Sequence, residues 1–216
     1  MSGSVNPLRI GNLKMMMTKE AIEKRRSIRK FKPDIIPHEH IEAIMDSARL
    51  SPSGCNAQPW RFKIVTEEDV KIQLAQSAFN QSFIATAPVV IVCCADIKGY
   101  LDGTVSGAQD LGKIGAVEDK IVSIIGDRVK ALETVSINEL GPRIAANVAV
   151  AIEHIVLRAM DFELGTCWIR LLDEQKIKKL FGWDDNIYVV ALLPMGYPAE
   201  SPEPRKRLKL SDILID

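Results

Sequence analysis

Two short stretches constrain this chain more than any others. Residues 88–95 read Pro-Val-Val-Ile-Val-Cys-Cys-Ala, and residues 187–195 read Ile-Tyr-Val-Val-Ala-Leu-Leu-Pro-Met. Each is a continuous apolar run with β-branched residues and none of the in–out alternation of a strand with one wet face. Both read as buried strands, the first of them central. Residues 61–66 and 166–171 add two more strands. Between them lie helical patterns. Pro37 opens a helix over 37–49 that turns Ile41, Ile44, Met45 and Ala48 inward, and Thr18 is placed to cap a short helix over 19–25. Residues 67–79 read as a polar-faced helix. A stripe from Val117 to Leu132 predicts another over 116–132. The longest opens at Pro142, carries Ile144, Val148, Ala151, Ile152, Ile155 and Ala159, and stops near Gly165. Asp173 caps a last helix that Gly182 closes. Residues 96–112 hold four glycines, with Gly115 just beyond, and read as a loop. The expectation is one α+β domain over 18–216, with about four strands and five to six helices, preceded by an arm over 1–17.

Composition narrows the possible functions. Lys+Arg 28 balances Asp+Glu 28 in 216 residues, so no bulk charge points to nucleic acid or to a membrane surface. No apolar run approaches the roughly 18 residues a membrane span requires, and the first residues show no signal-peptide pattern. Four cysteines without a C-x-x-C spacing signal neither a disulfide scaffold nor a zinc or iron–sulfur site. A reducing cytoplasm is the expected compartment.

Four segments carry residues suited to chemistry. Arg25-Arg26-Ser27-Ile28-Arg29-Lys30 concentrates guanidinium groups and a hydroxyl at a helix end, the donors that grip a phosphate, although a solvated basic helix terminus has the same look. Ser51-Pro-Ser-Gly-Cys-Asn-Ala-Gln-Pro-Trp60 is a loop of short polar side chains. Its Asn56 and Gln58 offer the alternating donors and acceptors of a heterocycle edge, while a self-satisfied turn is the plainer alternative. In Leu164-Gly165-Thr166-Cys167, Gly165 permits close backbone approach to a flat ligand or simply caps the long helix. The tail after Gly196 ends in a second basic cluster, Arg205-Lys206-Arg207. His38, His40 and His154 look incidental, and no Ser/His/Asp or Cys/His arrangement emerges. Gly107-x4-Gly112-Lys113 nearly spells a phosphate-binding loop, but Ile114 stands where a hydroxyl should ligate magnesium.

Taken in order, RRSIRKF (25–31), SPSGCNAQPWRF (51–62), APVVIVCCA (87–95), ELGTCWI (163–169) and GYPAESPEPRKRLKL (196–210) resemble the nitroreductase family of FMN enzymes. The resemblance implies a central, mainly antiparallel sheet flanked by helices, in an interlocked homodimer with FMN at the interface. It places Arg25, Ser27 and Arg29 on the phosphate and ribityl chain, with Arg26 in the same motif. Pro52, Ser53 and Asn56 match a loop from the partner subunit, with Gln58 close by. Gly165 and Thr166 match the segment whose backbone faces flavin N5, and Arg207 and Arg205 the tail cations. Asn80 or Gln81 matches a polar position near the pyrimidine edge. It further implies ping-pong hydride transfer from NADH or NADPH, without a protein nucleophile, to a nitroaromatic, quinone or similar small electrophile. Reductive dehalogenation and oxygen-dependent flavin breakdown are alternatives on the same fold. A nucleic-acid or other anion-binding protein is a remote one. Cys55 and Cys167 fall inside the flavin motifs, with packing favoured over a redox role. Residues 96–141 stand out as an insertion. They could pad the dimer interface or cover the flavin mouth; their glycine-rich entry suggests a hinged lid, whose deletion over 99–135 should alter substrate preference and leave FMN bound.

Overall fold

The computed structural model describes residues 9–10, 13–14 and 16–215. Most of the expected N-terminal arm lies outside the described residues. Two dipeptides, β1 (Arg9–Ile10) and β2 (Leu13–Lys14), pair with each other. There follow α1 (Thr18–Lys24), α2 (His38–Arg49), β3 (Trp60–Val65), α3 (Glu68–Ser77), the short α4 (Phe83–Thr86) and β4 (Val89–Asp96). Next come α5 (Ile97–Lys113), α6 (Asp119–Leu132), α7 (Ile137–Ala159), β5 (Gly165–Thr166), α8 (Glu174–Phe181) and β6 (Ile187–Gly196).

The main sheet has the order β3-β4-β6-β5, every neighbour antiparallel. The two apolar runs are its centre, and they pair from Val89–Met195 to Asp96–Ile187 with one bulge, between Cys93 and Cys94, that leaves Val190 unpaired. Alternation puts Ile91, Cys93 and Ala95 on one face and Val90, Val92 and Cys94 on the other, so the adjacent cysteines belong to opposite cores. The first core is covered by α2 and α7, the second by α3, α4 and α8. The result is the α+β arrangement anticipated, a central antiparallel sheet between helical layers. Helix α7 has the length and apolarity of a membrane span, but Val148, Ile152 and Ile155 are fully buried against the sheet, so it serves as the core helix.

Several local expectations are corrected. Residues 97–113 form a helix rather than a loop. Its glycines mask a helical stripe, Ile97, Tyr100, Leu101, Thr104 and Ala108, which faces the interior. Asp96 caps the helix by accepting the Gly99 N–H at 2.7 Å, and also holds Arg61 at 2.7 Å and the Asn186 amide at 2.9 Å. The hinge on which a lid would turn is therefore helical. Helix α7 begins at Ile137, a turn and a half before Pro142. Gly141 makes this possible, since the residue before a proline is kept from the helical region largely by its Cβ. At the other end Glu163, with φ 59°, takes the left-handed cap position expected of Gly165. Met17, not Thr18, is the cap residue of α1, and Pro37 precedes α2 rather than opening it. The strand expected over 166–171 shrinks to β5 and a single bridge from Ile169 to Leu192. Cys167 donates to the Pro194 carbonyl at 3.2 Å, but Pro194 has no N–H to return, and the ladder breaks there.

Candidate active site

The segment that follows α1 is extended and stitched to the sheet margin. Ile28 donates to the Thr166 carbonyl at 2.9 Å, and Ser27 pairs with Thr166 as a parallel bridge. Further on, Lys32 donates to Tyr197 at 2.8 Å and Ala199 to Lys30 at 2.9 Å. These bonds lay the first arginine cluster between β5 and the chain leaving β6. The tail then has to run past it. Glu200 fixes that crossing, its Oε1 accepting the N–H of Arg29 at 2.6 Å and of Lys30 at 3.1 Å.

The two basic clusters, far apart in sequence, consequently line one cavity of about 410 Å3. Arg25, Arg26, Ser27 and Arg29 form one side, and Arg205, Arg207, Glu203 and two prolines the other. A neighbouring cavity of about 350 Å3 shares Arg25, Arg26 and Pro202 with it. Its walls include Ile28, Val156 and Leu164, with Gly165 and Thr166 on the same rim. Polar anion donors thus adjoin a more apolar slot with Gly165 and Thr166 on its rim, the surface that suits a flat heterocycle bearing a phosphate.

Arg25 is half-buried and meets Glu153 at 3.3 Å. Arg26 turns back to carbonyls, donating to Glu23 at 2.9 Å and Arg25 at 2.8 Å, so it braces the turn. The guanidinium of Arg29 lies 5.9 Å from the centre of the Phe83 ring. Arg207 reaches only main-chain oxygens. Among the described residues Arg29, Arg205 and Arg207 have no carboxylate in ion-pair range. Cys167 lies buried beside Ser27 and Arg29. Burial pushes its thiol up, against the opposing pull of Arg29 and of a hydrogen bond with Ser27, so the sulfur stays a neutral thiol at neutral pH.

The remaining expected residues lie elsewhere in this chain. Pro52, Ser53, Asn56 and Gln58 occupy the loop before β3 and line neither cavity. Asn80 lies exposed in the turn after α3 with φ 60°, and its neighbour Gln81 donates to Ala78 at 3.0 Å and Leu171 at 3.2 Å. The structure also brings forward residues the sequence reading passed over. Glu200 sits at the crossing. Asn147 accepts the Gly54 N–H at 3.0 Å, and His154 Nδ1 lies 2.7 Å from Ser51 Oγ, so this histidine is not incidental. Their seven-residue spacing, two turns on one polar flank of α7, was the available signal.

The nitroreductase family model matches residues 22–197. A Thermus thermophilus protein named NADH dehydrogenase is 27% identical over 210 residues, covering 94% of this chain and 97% of its own. The Bacillus subtilis protein YdgI, a candidate NAD(P)H nitroreductase, is 31% identical over 200 residues, or 90% of this chain and 94% of its own. Among solved structures, a candidate nitroreductase from Exiguobacterium sibiricum in complex with FMN superposes with TM-score 0.74 at 27% identity, covering 93% and 97% of the two chains.

Proposed function

Since the chain belongs to the nitroreductase family, we propose that it is an FMN-dependent NAD(P)H oxidoreductase acting on nitroaromatics, quinones or related small electrophiles. The observation that carries this reading is the convergence of Arg25, Ser27, Arg29, Arg205 and Arg207 on one cavity that opens onto Gly165 and Thr166. The donor set fits the group. A phosphate requires charge-assisted donors from several directions, and arginines without carboxylate partners are free to supply them. The adjoining slot, which shares Arg25, Arg26 and Pro202 with the anion cavity, continues from it toward Gly165 and Thr166. When bound, FMN supplies a ring that accepts a hydride at one visit and gives it up at the next.

The protein's own part is to bind and orient. Arg29, Arg205 and Arg207 hold the phosphate end, and Ser27 adds a neutral donor. The backbone at 165–166, fixed to Ile28 and to β6, would support the ring. No side chain needs to act as nucleophile, and Cys167 remains protonated behind the site. With FMN bound, NADH or NADPH and the electrophile would share this one site in turn, which would give ping-pong kinetics.

The second half of the site comes, on this reading, from another copy of the chain. Pro52, Ser53, Asn56 and Gln58 are presented away from the cavities of their own subunit, as an interlocked homodimer requires. The tail supports it. Leu208, Leu210, Ile213, Leu214 and Ile215 are all exposed, a density of apolar side chains that a monomer does not leave in water. The test is the absorbance spectrum of the purified protein followed by anaerobic NADH and NADPH titration. Near-stoichiometric flavin bleached by either nucleotide is expected. A colourless protein that takes up no added FMN would overturn the assignment.

A further inference from the structure

We propose that Gly103 and Gly107 of α5, with Asn147 and His154 of α7, are positioning residues that hold the 51–58 loop in a strained shape and so aim Asn56 and Gln58. The inference rests on the reading of that loop as part of the flavin site. It replaces the lid with a brace.

The loop is unusual in its backbone. Cys55, Asn56 and Gln58 have φ of 49°, 53° and 49°, a region disfavoured for side-chain-bearing residues. Its own bonds are few. Asn56 donates to Ser53 and Ala57 to Gly54, both at 3.0 Å, and the Gln58 N–H donates to Ser53 Oγ at 3.0 Å. Strain of this kind persists only where the surroundings over-determine it.

Two helices do so from different directions. Gly103 and Gly107 lie one turn apart on one face of α5. A Cβ at Gly103 would stand 2.7 Å from the Ala57 carbonyl oxygen and 3.0 Å from its Cα. At Gly107 it would fall less than 3.0 Å from both the carbonyl carbon and oxygen of Cys55. Here the obstacle is backbone, which cannot swing aside. Glycine is otherwise a poor choice for a helix interior. From α7, Asn147 Oδ1 accepts the Gly54 N–H at 3.0 Å. His154 Nδ1 lies 2.7 Å from Ser51 Oγ and 3.3 Å from the Ser47 carbonyl, fixing the point where α2 ends and the loop begins. The loop is thus gripped at 51, 54, 55 and 57, while the side chains of Asn56 and Gln58 remain exposed. A helix bearing on the loop through its backbone acts as a rigid support, and the arm from Asp96 to Leu132 cannot move without releasing it.

The experiment compares the holoprotein with Gly107→Ala, Asn147→Ala, Asn147→Asp and, as control, Gly126→Ala, whose added methyl meets nothing within 4 Å. Three quantities are read: amide hydrogen exchange over 52–58, FMN released on dilution through the return of free-flavin fluorescence, and Tm. Gly107→Ala and Asn147→Ala are expected to speed loop exchange and weaken FMN retention by about tenfold each, the scale of one lost hydrogen bond. Asn147→Asp keeps an acceptor for Gly54 and should recover most of both. Gly126→Ala should change neither. Should Gly107→Ala not fold, Asn147→Ala carries the test. A lower Tm with loop exchange and FMN retention as in the wild type would overturn the proposal, as would Asn147→Asp behaving like Asn147→Ala. Faster loop exchange with unchanged FMN retention would sustain the brace and remove the loop from the flavin site.

Discussion

Ile28 and Gly165 are packed so closely that a Cβ on the glycine would lie less than 3.0 Å from the Ile28 side chain. The contact ties the arginine segment to β5, and so fixes the spacing between the arginines and the backbone at 165–166. Gly165 is extended, not left-handed, so it is the approach of Ile28 that demands glycine. Gly165→Ala is expected to destabilise the fold by about 1–3 kcal/mol, the usual range for overpacking, and to weaken FMN binding. Ile28→Ala should relieve it, making the double variant less damaged than the sum of the two singles in urea denaturation.

Arg29 and Arg207, from opposite ends of the sequence, line the cavity proposed to hold the phosphate. Replacing either with Gln should weaken FMN binding by about 10- to 100-fold, as expected for a hydrogen bond to a charged group. The loss should shrink at high salt. Lys206→Gln, outside that cavity, should bind as the wild type does. Fluorescence titration at two salt concentrations checks all three.

The buried thiols set an alkaline limit to stability. Burial, with the Glu174 carboxylate adding to it, pushes Cys94 up to about 12. Cys93 and Cys167 are raised as well, chiefly by burial. The unfolded chain releases these protons near pH ~8.5 and the folded chain holds them. Their contribution is therefore complete below that pH and is lost as pH rises, for Cys94 up to about 12. Cys94 should lower stability by roughly 1.4 kcal/mol per pH unit across that window, with Cys93 and Cys167 acting in the same direction. Urea midpoints measured from pH about 8 to about 10.5 should fall, and Cys94→Ala should flatten the slope. Iodoacetamide should leave Cys167 unmodified in the native protein at neutral pH.

Asp96 joins three elements by accepting from Gly99, Arg61 and Asn186. Asp96→Ala removes the cap of α5 and strands the other two donors. A loss of about 2–4 kcal/mol is expected, a cap together with a charged hydrogen bond. Because α5 supports the loop before β3, the same variant should hasten amide exchange there.

The apolar tail bears on assembly. Truncation after Arg207 removes Leu208, Leu210, Ile213, Leu214 and Ile215 while sparing the cavity's arginines. If the tail wraps a second subunit, sedimentation should show a weakened dimer. An unchanged dissociation constant would assign those side chains another role.

What local chemistry governs was legible in the residues alone. The apolar runs at 88–95 and 187–195 read as buried strands, since each is short and rich in β-branched or aliphatic residues, and the first read as central. The stripe from Ile144 to Ala159 had to be a core helix, and Asp173 and Gly182 bounded α8 by capping alone. Arg25, Ser27, Arg29, Arg205 and Arg207 were recognisable as anion donors by type. Their convergence was not. It depends on Ile28 pairing with Thr166 and on Glu200 pinning the tail, bonds across more than a hundred residues. Helix α5 is hidden in the sequence for a related reason. Intrinsic propensity disfavours four glycines in seventeen residues, and for two of them, Gly103 and Gly107, it is the Ala57 and Cys55 backbone lying against them that makes glycine the fitting choice. Propensity, capping and burial pattern act over a few residues and can be read along the chain. Close approach between distant backbones is created by folding itself, and the tertiary structure alone decides it.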